Sequence, residues 1–194
     1  MTTLRHEVLE EYIKEMKGLR GETARSHRFS QLLKELNLSP TFVENYIKGL
    51  ETFIKTREKD FILRGKPDNL FGNLVIEFEA NLRQESERKE AEKQLRLYVA
   101  ILWTHDKKAG QELTPYICLA TDGVRFQTYV PTVENPNALE FTPDDIYLKK
   151  SEYHDWSTVK VDEVLYWLDR YFLRQQILKP TSERTVSYTH LRAH

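Results

Sequence analysis

The sequence predicts a mixed α/β fold, a small mixed sheet flanked by helices, with further helices at the N-terminus and a linker helix near the C-terminus. Three observations predict it. Apolar residues recur at helical spacing through the first sixty positions. At Phe61 the pattern shifts to short alternating runs. A long stretch, charged first and apolar later, then separates those runs from a second group of strand-like segments.

Taken in order, Leu4, Val8, Leu9, Tyr12, Ile13 and Met16 mark a first helix over about 3–17, which Gly18 and Gly21 interrupt. A second helix starts near Glu22, runs through Phe29, Leu32, Leu33 and Leu36 and ends around Asn37. Ser39-Pro40 can open a third through Phe42, Tyr46, Ile47, Leu50, Phe53 and Ile54. Strands are predicted around 61–64, 67–71 and 74–79, and a long helix between Leu82 and His105 crosses over the sheet. Thr121-Asp122-Gly123 joins Tyr116–Ala120 to Val124–Val130, an Asp-Gly turn between β-rich runs and a hairpin signal. After the proline-bearing segment 131–143, Val164, Leu165, Leu168, Tyr171 and Phe172 line one side of a last helix over 161–173, a docking helix or a linker.

Composition bounds the function. A chain of 194 residues, 40% hydrophobic and 11% aromatic, fills one core and a small appendage rather than two full domains. With 29 basic and 30 acidic residues the net charge is −1, so the bulk field asks for no particular partner. A single cysteine, Cys118, excludes an internal disulfide and reads as a core residue in its apolar run. No stretch approaches the ~18–20 apolar residues of a membrane span, and the N-terminus lacks the apolar core of a signal peptide, which predicts a soluble, cytoplasmic protein. The histidines lack HExxH spacing and no GxxxxGK(S/T) occurs, which disfavours zinc hydrolysis and nucleotide-phosphate chemistry.

The chemistry concentrates in Lys66-Pro67-Asp68-Asn69-Leu70-Phe71-Gly72-Asn73-Leu74-Val75-Ile76-Glu77-Phe78-Glu79. A two-residue turn at Gly72-Asn73 pairs 71 with 74, 70 with 75, 69 with 76 and 68 with 77. Asp68 and Glu77 then face each other with Cβ atoms about 4.5–5.5 Å apart, where like charges repel unless a cation sits between them. Glu79 shares the face of Glu77, because strand side chains repeat every two residues. An all-oxygen set of this kind favours Mg2+ or Mn2+. The competing reading is an exposed acidic face of an ordinary hairpin. Val75, apolar and on the carboxylate face, favours a partly buried site over it.

Pro67-Asp68 followed by Glu77-x-Glu79 after an apolar strand resembles the core of the PD-(D/E)XK nucleases, and so implies a restriction-endonuclease-like core in which Asp68 and Glu77 bind the metal. The third family position, usually Lys, is Glu79 here, as in some restriction enzymes of the superfamily. Lys93 is a candidate for a displaced cation, against a solvated helix lysine. Gln94-Leu95-Arg96-Leu97-Tyr98 resembles the QxxxY helix motif of one large branch, and Gln94 and Tyr98, four residues apart, share a helix face. Gly21-Glu22-Thr23-Ala24-Arg25 through Leu33 resembles the first core helix of restriction nucleases, whose acidic residue, here Glu22, often points at the metal. A glutamate at a helix start also suits the helix dipole without any such role. Ala120–Phe126 and Tyr166–Phe172 look like segments that precede the methyltransferase part of type IIG restriction enzymes. The resemblance covers about residues 20–175, and Asn135-Pro136-Asn137 lacks the NPP(Y/F) order of adenine methylases.

These resemblances imply a nuclease-like domain over 1–130 and, over 131–183, a linker and the start of a helical connector to a missing methyltransferase or specificity region. The last stretch, 184–194, looks like the translation of a sequencing adapter at Val186–Leu191, a non-native tail. The implied activity is Mg2+- or Mn2+-dependent hydrolysis of double-stranded DNA in restriction-modification and phage defence. Asp68, Glu77, Glu79 and Gln94 are the catalytic set, and Asp68, Glu77 and Glu22 the metal set. Arg83, Arg88, Lys89, Lys93, Arg96 and Tyr98 are candidates for DNA contact, with a solvated helix face as the alternative. A second function is open: a catalytically inactive DNA-binding or scaffolding domain of a DNA methyltransferase or defence protein, with Trp156, Trp167 and Tyr171 docking a partner domain.

Overall fold

The computed structural model describes residues 2–36, 38, 69–71 and 74–173. The helix expected through Phe42–Ile54, the strand expected at 61–64, Asp68 and the 184–194 segment lie outside them.

Two N-terminal helices, α1 (Thr2–Met16) and α2 (Glu22–Glu35), form where the helical spacing predicts them and pack on each other. They bury Leu9, Tyr12, Met16, Phe29 and Leu32, the positions a 3.6-residue repeat places on one side. Next comes a hairpin of β1 (Asn69–Phe71) and β2 (Leu74–Phe78), then a long helix α3 (Glu85–Lys108). Two longer strands follow the first of the second group: β3 (Ile117–Thr121), β4 (Arg125–Val133) and β5 (Ile146–Asp155). A short helix α4 (Val161–Leu168) continues into a π-helical turn at Asp169–Leu173.

The strands form one mixed five-stranded sheet in the order β1-β2-β3-β4-β5, with β2 and β3 parallel and every other neighbour antiparallel. Parallel neighbours need a crossover connection, and α3 supplies it, as the charged-then-apolar stretch predicts. The fold is thus mixed α/β.

Strand alternation divides the core in two. Leu74, Ile76 and Phe78 of β2 join Leu119 and Phe126 against α1, α2 and α4. Val75, with Cys118, Ala120 and Tyr129, joins Leu95, Val99 and Leu102 of α3. Cys118 is buried, and desolvation raises its thiol pKa, so it packs as a small apolar group.

β5 is the largest departure from the sequence reading. The expected boundary at residue 130 falls inside β4, and the segment read as a connector pairs with β4 from Val133↔Ile146 to Arg125↔Asp155. Pro131 sits within β4, but β3 pairs with β4 only as far as Cys118↔Tyr129, so beyond that point a residue without an N–H leaves no β3 bond unmade. The docking role expected for Trp156, Trp167 and Tyr171 is also corrected. All three are buried in this chain's own core, where Trp156 stacks on Phe126 at 4.2 Å and Trp167 lies 4.7 Å from Tyr171. They have no surface to offer a partner. Among the described residues no helix is long and apolar enough to cross a membrane.

Candidate functional site

The described part of the first hairpin has the register that the Gly72-Asn73 turn predicts: Phe71↔Leu74, Leu70↔Val75 and Asn69↔Ile76. Asp68, the expected partner of Glu77, lies outside the described residues. Glu77 and Glu79 are at the C-terminal end of β2, each only 8% exposed, so the reading of a solvated acidic face does not hold for them. Parallel pairing sets Glu77 beside Ala120, and the Glu79 N–H donates to the Thr121 carbonyl at 2.8 Å. Strand geometry thus carries both carboxylates on the side that Val75 and Ala120 share, toward the start of α3.

The surroundings of Glu79 are acidic. Its carboxyl is hydrogen-bonded to that of Glu87, in the first turn of α3, and the charges of Glu22 and Glu90 also reach it. Burial, then the Glu87 contact and the neighbouring charges, push the Glu79 carboxyl up to about 8, so it keeps a proton at neutral pH where an isolated glutamate would not. Glu22, predicted from the first core helix, lies on the first turn of α2, and its charge acts on Glu79. Glu87 is the partner that sequence reasoning missed. It stands in an ordinary charged helix start, and no spacing rule singles it out from Glu85 or Glu90.

Gln94 and Tyr98 do lie one turn apart on α3. Gln94 donates to Glu90 Oε1 at 3.0 Å, one step removed from Glu79, whereas Tyr98 is buried in the α3-side core. The expected basic contacts are mostly occupied within α3: Lys89 pairs with Glu85 at 2.7 Å, Lys93 with Glu90 at 3.2 Å and Arg96 with Glu92 at 4.0 Å. Arg88 donates to the carbonyls of Leu82 and Arg83 at 2.8 and 3.0 Å. Lys93 therefore lies on the solvated side of the helix, as its alternative reading has it, and Arg83 is exposed on the loop before α3.

The β3–β4 turn adjoins this corner. Asp122 is fully buried and accepts from the N–H groups of Leu82 (3.1 Å), Val124 (3.1 Å) and Arg125 (2.8 Å) and from the Arg125 guanidinium (2.8 Å). Arg125 also bridges to Asp155 at 3.1 Å. Gly123 follows with φ +82°, and a Cβ there would collide with the Met16 methyl, which explains glycine at that place. The Asp-Gly signal located the turn but not its carboxylate's partners.

Among the described residues no group of three His, Cys, Asp or Glu side chains is arranged to hold a metal ion. What the corner shows is two buried carboxyls at the end of β2, one of them, Glu79, set against Glu87 and raised in pKa by burial and its acidic neighbours. Compared with known protein families, characterised proteins and solved structures, the chain matches none.

Proposed function

We propose that the chain is a metal-dependent DNA endonuclease domain of the restriction-endonuclease-like class, hydrolysing phosphodiester bonds of double-stranded DNA with Mg2+ or Mn2+. The observation that carries this reading is the burial of Glu77 and Glu79 at the end of β2, with Glu79 held against Glu87 and within reach of Glu22. Buried like charges are costly, and a cation relieves that cost. In this reading Asp68 is the residue the hairpin register calls for opposite Glu77. Asp68, Glu77 and Glu22 would hold the metal, which would supply an activated water and neutralise charge on the phosphate. Glu79 would orient the water or ligate a metal. Gln94, through Glu90, positions the acidic set.

The test is plasmid cleavage by the purified chain in Mg2+, Mn2+ or EDTA, with Asp68→Ala and Glu77→Gln beside the parent. Cutting that requires the metal and falls at least about 100-fold in either variant is expected, the upper range for losing a group that tunes a metal site. A folded parent that binds DNA but never cuts would establish the second reading, an inactive DNA-binding domain. The substitution of Glu79 for the family's usual lysine is what favours that alternative.

A further inference from the structure

We infer that the seam between α3 and β5 is the surface that carries the DNA backbone, with Lys150, Arg96 and Arg83 set to meet phosphates. The inference rests on the reading of the chain as a DNA-cleaving domain and adds to it the face on which the duplex lies.

Two ties fix that seam. At one end the Asp122 carboxylate takes the Leu82 N–H and a guanidinium N–H of Arg125, and Arg125 Nε donates to Asp155, the last residue of β5. Arg83, next in the chain after Leu82, is thereby carried to the end of β5. Arg88 braces it, donating to the carbonyls of Leu82 and Arg83. At the other end Glu92 of α3 accepts from the Tyr129 hydroxyl of β4 at 3.1 Å and pairs with Lys150 of β5 at 3.3 Å. Tyr153 pairs with Gln127, two residues from Tyr129, so it shares this face between the ties, and at 52% exposure its hydroxyl is open to a phosphate oxygen.

The cations here outnumber their partners. Glu92 is shared by Lys150 and, at 4.0 Å, by Arg96, and it serves the Tyr129 hydroxyl besides. A structural ion pair is complete with one cation. Lys150 and Arg96 nevertheless remain 63% and 42% exposed. Arg83 is exposed too, and no carboxylate among the described residues pairs with it. Lys89 and Lys93, by contrast, each have a glutamate within one turn. From Glu85 to Arg96, α3 rises about 16 Å at ~1.5 Å per residue. That matches about five base pairs at ~3.4 Å each, so one strand of a duplex presents several phosphates to the seam.

The other face of β5 supplies the contrast. Strand alternation puts Lys149, exposed and adjacent to Lys150 in the chain, on the side away from α3. Two neighbouring lysines of equal charge thus differ in the face they serve.

Binding of a short labelled DNA duplex to the full chain in EDTA, measured across salt concentrations, tests this. A cation on a phosphate contributes about one to the salt slope. Lys150→Ala is expected to lower the slope by about one and Lys149→Ala to leave it unchanged, both with the parent's melting temperature. Lys150→Arg keeps the charge and is expected to keep the slope, whereas Lys150→Ala combined with Arg83→Ala is expected to lower it by about two. An unchanged slope in Lys150→Ala, or an equal loss in Lys149→Ala, overturns the assignment of this face and leaves the nuclease reading intact where the parent cuts plasmid. A parent that binds duplex through Lys150 yet cuts nothing with Mg2+ or Mn2+ overturns the nuclease reading and leaves the surface in place. A folded parent that binds no duplex overturns both.

Discussion

The carboxylate of Asp122 in the β3–β4 turn and that of Glu79 at the end of β2 are both buried, and adjoining backbone links their segments. Yet the first is surrounded by N–H donors and a guanidinium, while the second meets the carboxyl of Glu87. Burial alone therefore does not tell these two acids apart, whereas their partners do. Asp122 has its charge fully compensated by the protein, so it fixes a turn and needs nothing further. Glu79 instead faces another carboxyl, and burial with the acids around it raises its pKa.

The largest effect expected from this contrast is on stability. Asp122→Ala leaves three N–H groups and one of the Arg125 guanidinium donors without an acceptor, Asp155 remaining as the partner of Arg125 Nε, and breaking a buried charged pair on one side costs about 3–5 kcal/mol. Glu79→Gln puts a neutral amide in place of a protonated carboxyl and keeps the shape, so at neutral pH in EDTA it is expected to change stability by no more than about 1 kcal/mol. Denaturant titrations of both variants read this directly. A Glu79→Gln protein as damaged as Asp122→Ala would break the comparison.

A second effect is on pH dependence. Because the folded Glu79 carboxyl is raised from its ordinary 4.5 to about 8, the folded chain binds more protons than the unfolded one between those values. The stability this contributes is fully present below pH about 4.5 and is lost as pH rises through about 8. A metal bound as proposed would displace the same proton to solvent, so its binding would strengthen over the same range. Melting temperatures with and without Mg2+ should therefore differ more at pH about 8.5 than at about 6.5, and Glu79→Gln should flatten the difference. An Mg2+ shift independent of pH would mean that the metal does not meet Glu79.

Much of this contrast was legible in the sequence, and the part that was not has a physical cause. The Gly72-Asn73 turn and period-two alternation foretold the described pairs from Phe71↔Leu74 to Asn69↔Ile76, and Val75 foretold that the carboxylate face would be buried. Charged pairs are harder to read, since a glutamate in a helix start looks the same whether it faces water or Glu79, and Glu87 was accordingly missed. β5 was missed for another reason. The shift between Gln127 and Tyr129 puts an irregularity in its pairing, so Ile146 and Leu148 face one side with Lys150 while Glu152 and His154 lie on the other, and no clean alternation survives. Pro131 added a false stop signal at a point where β4 pairs on one side only. Trp156 and Trp167 read as surface anchors because aromatic residues beside a final helix fit docking and core alike. Their contacts with Phe126 decide it.

The smallest expected effects lie on the charged face of α3 and sharpen the comparison at its rim. Lys89 and Arg83 were both predicted as phosphate contacts, but Lys89 is held by Glu85 through an i,i+4 pair, and the pairing raises the Lys89 ammonium pKa and lowers that of Glu85. Exposed pairs of this kind are screened by solvent and contribute little, so neither Lys89→Ala nor Arg83→Ala should alter stability measurably. DNA affinity measured across salt concentrations separates them. A cation that contacts a phosphate lowers the salt slope by about one when removed, and Arg83→Ala is expected to do so. Lys89→Ala should do less, because its charge is already partly neutralised by a carboxylate that DNA would have to displace. Equal slopes for the two variants would place the duplex along α3 itself, and Glu85 would then count as a group that yields to DNA.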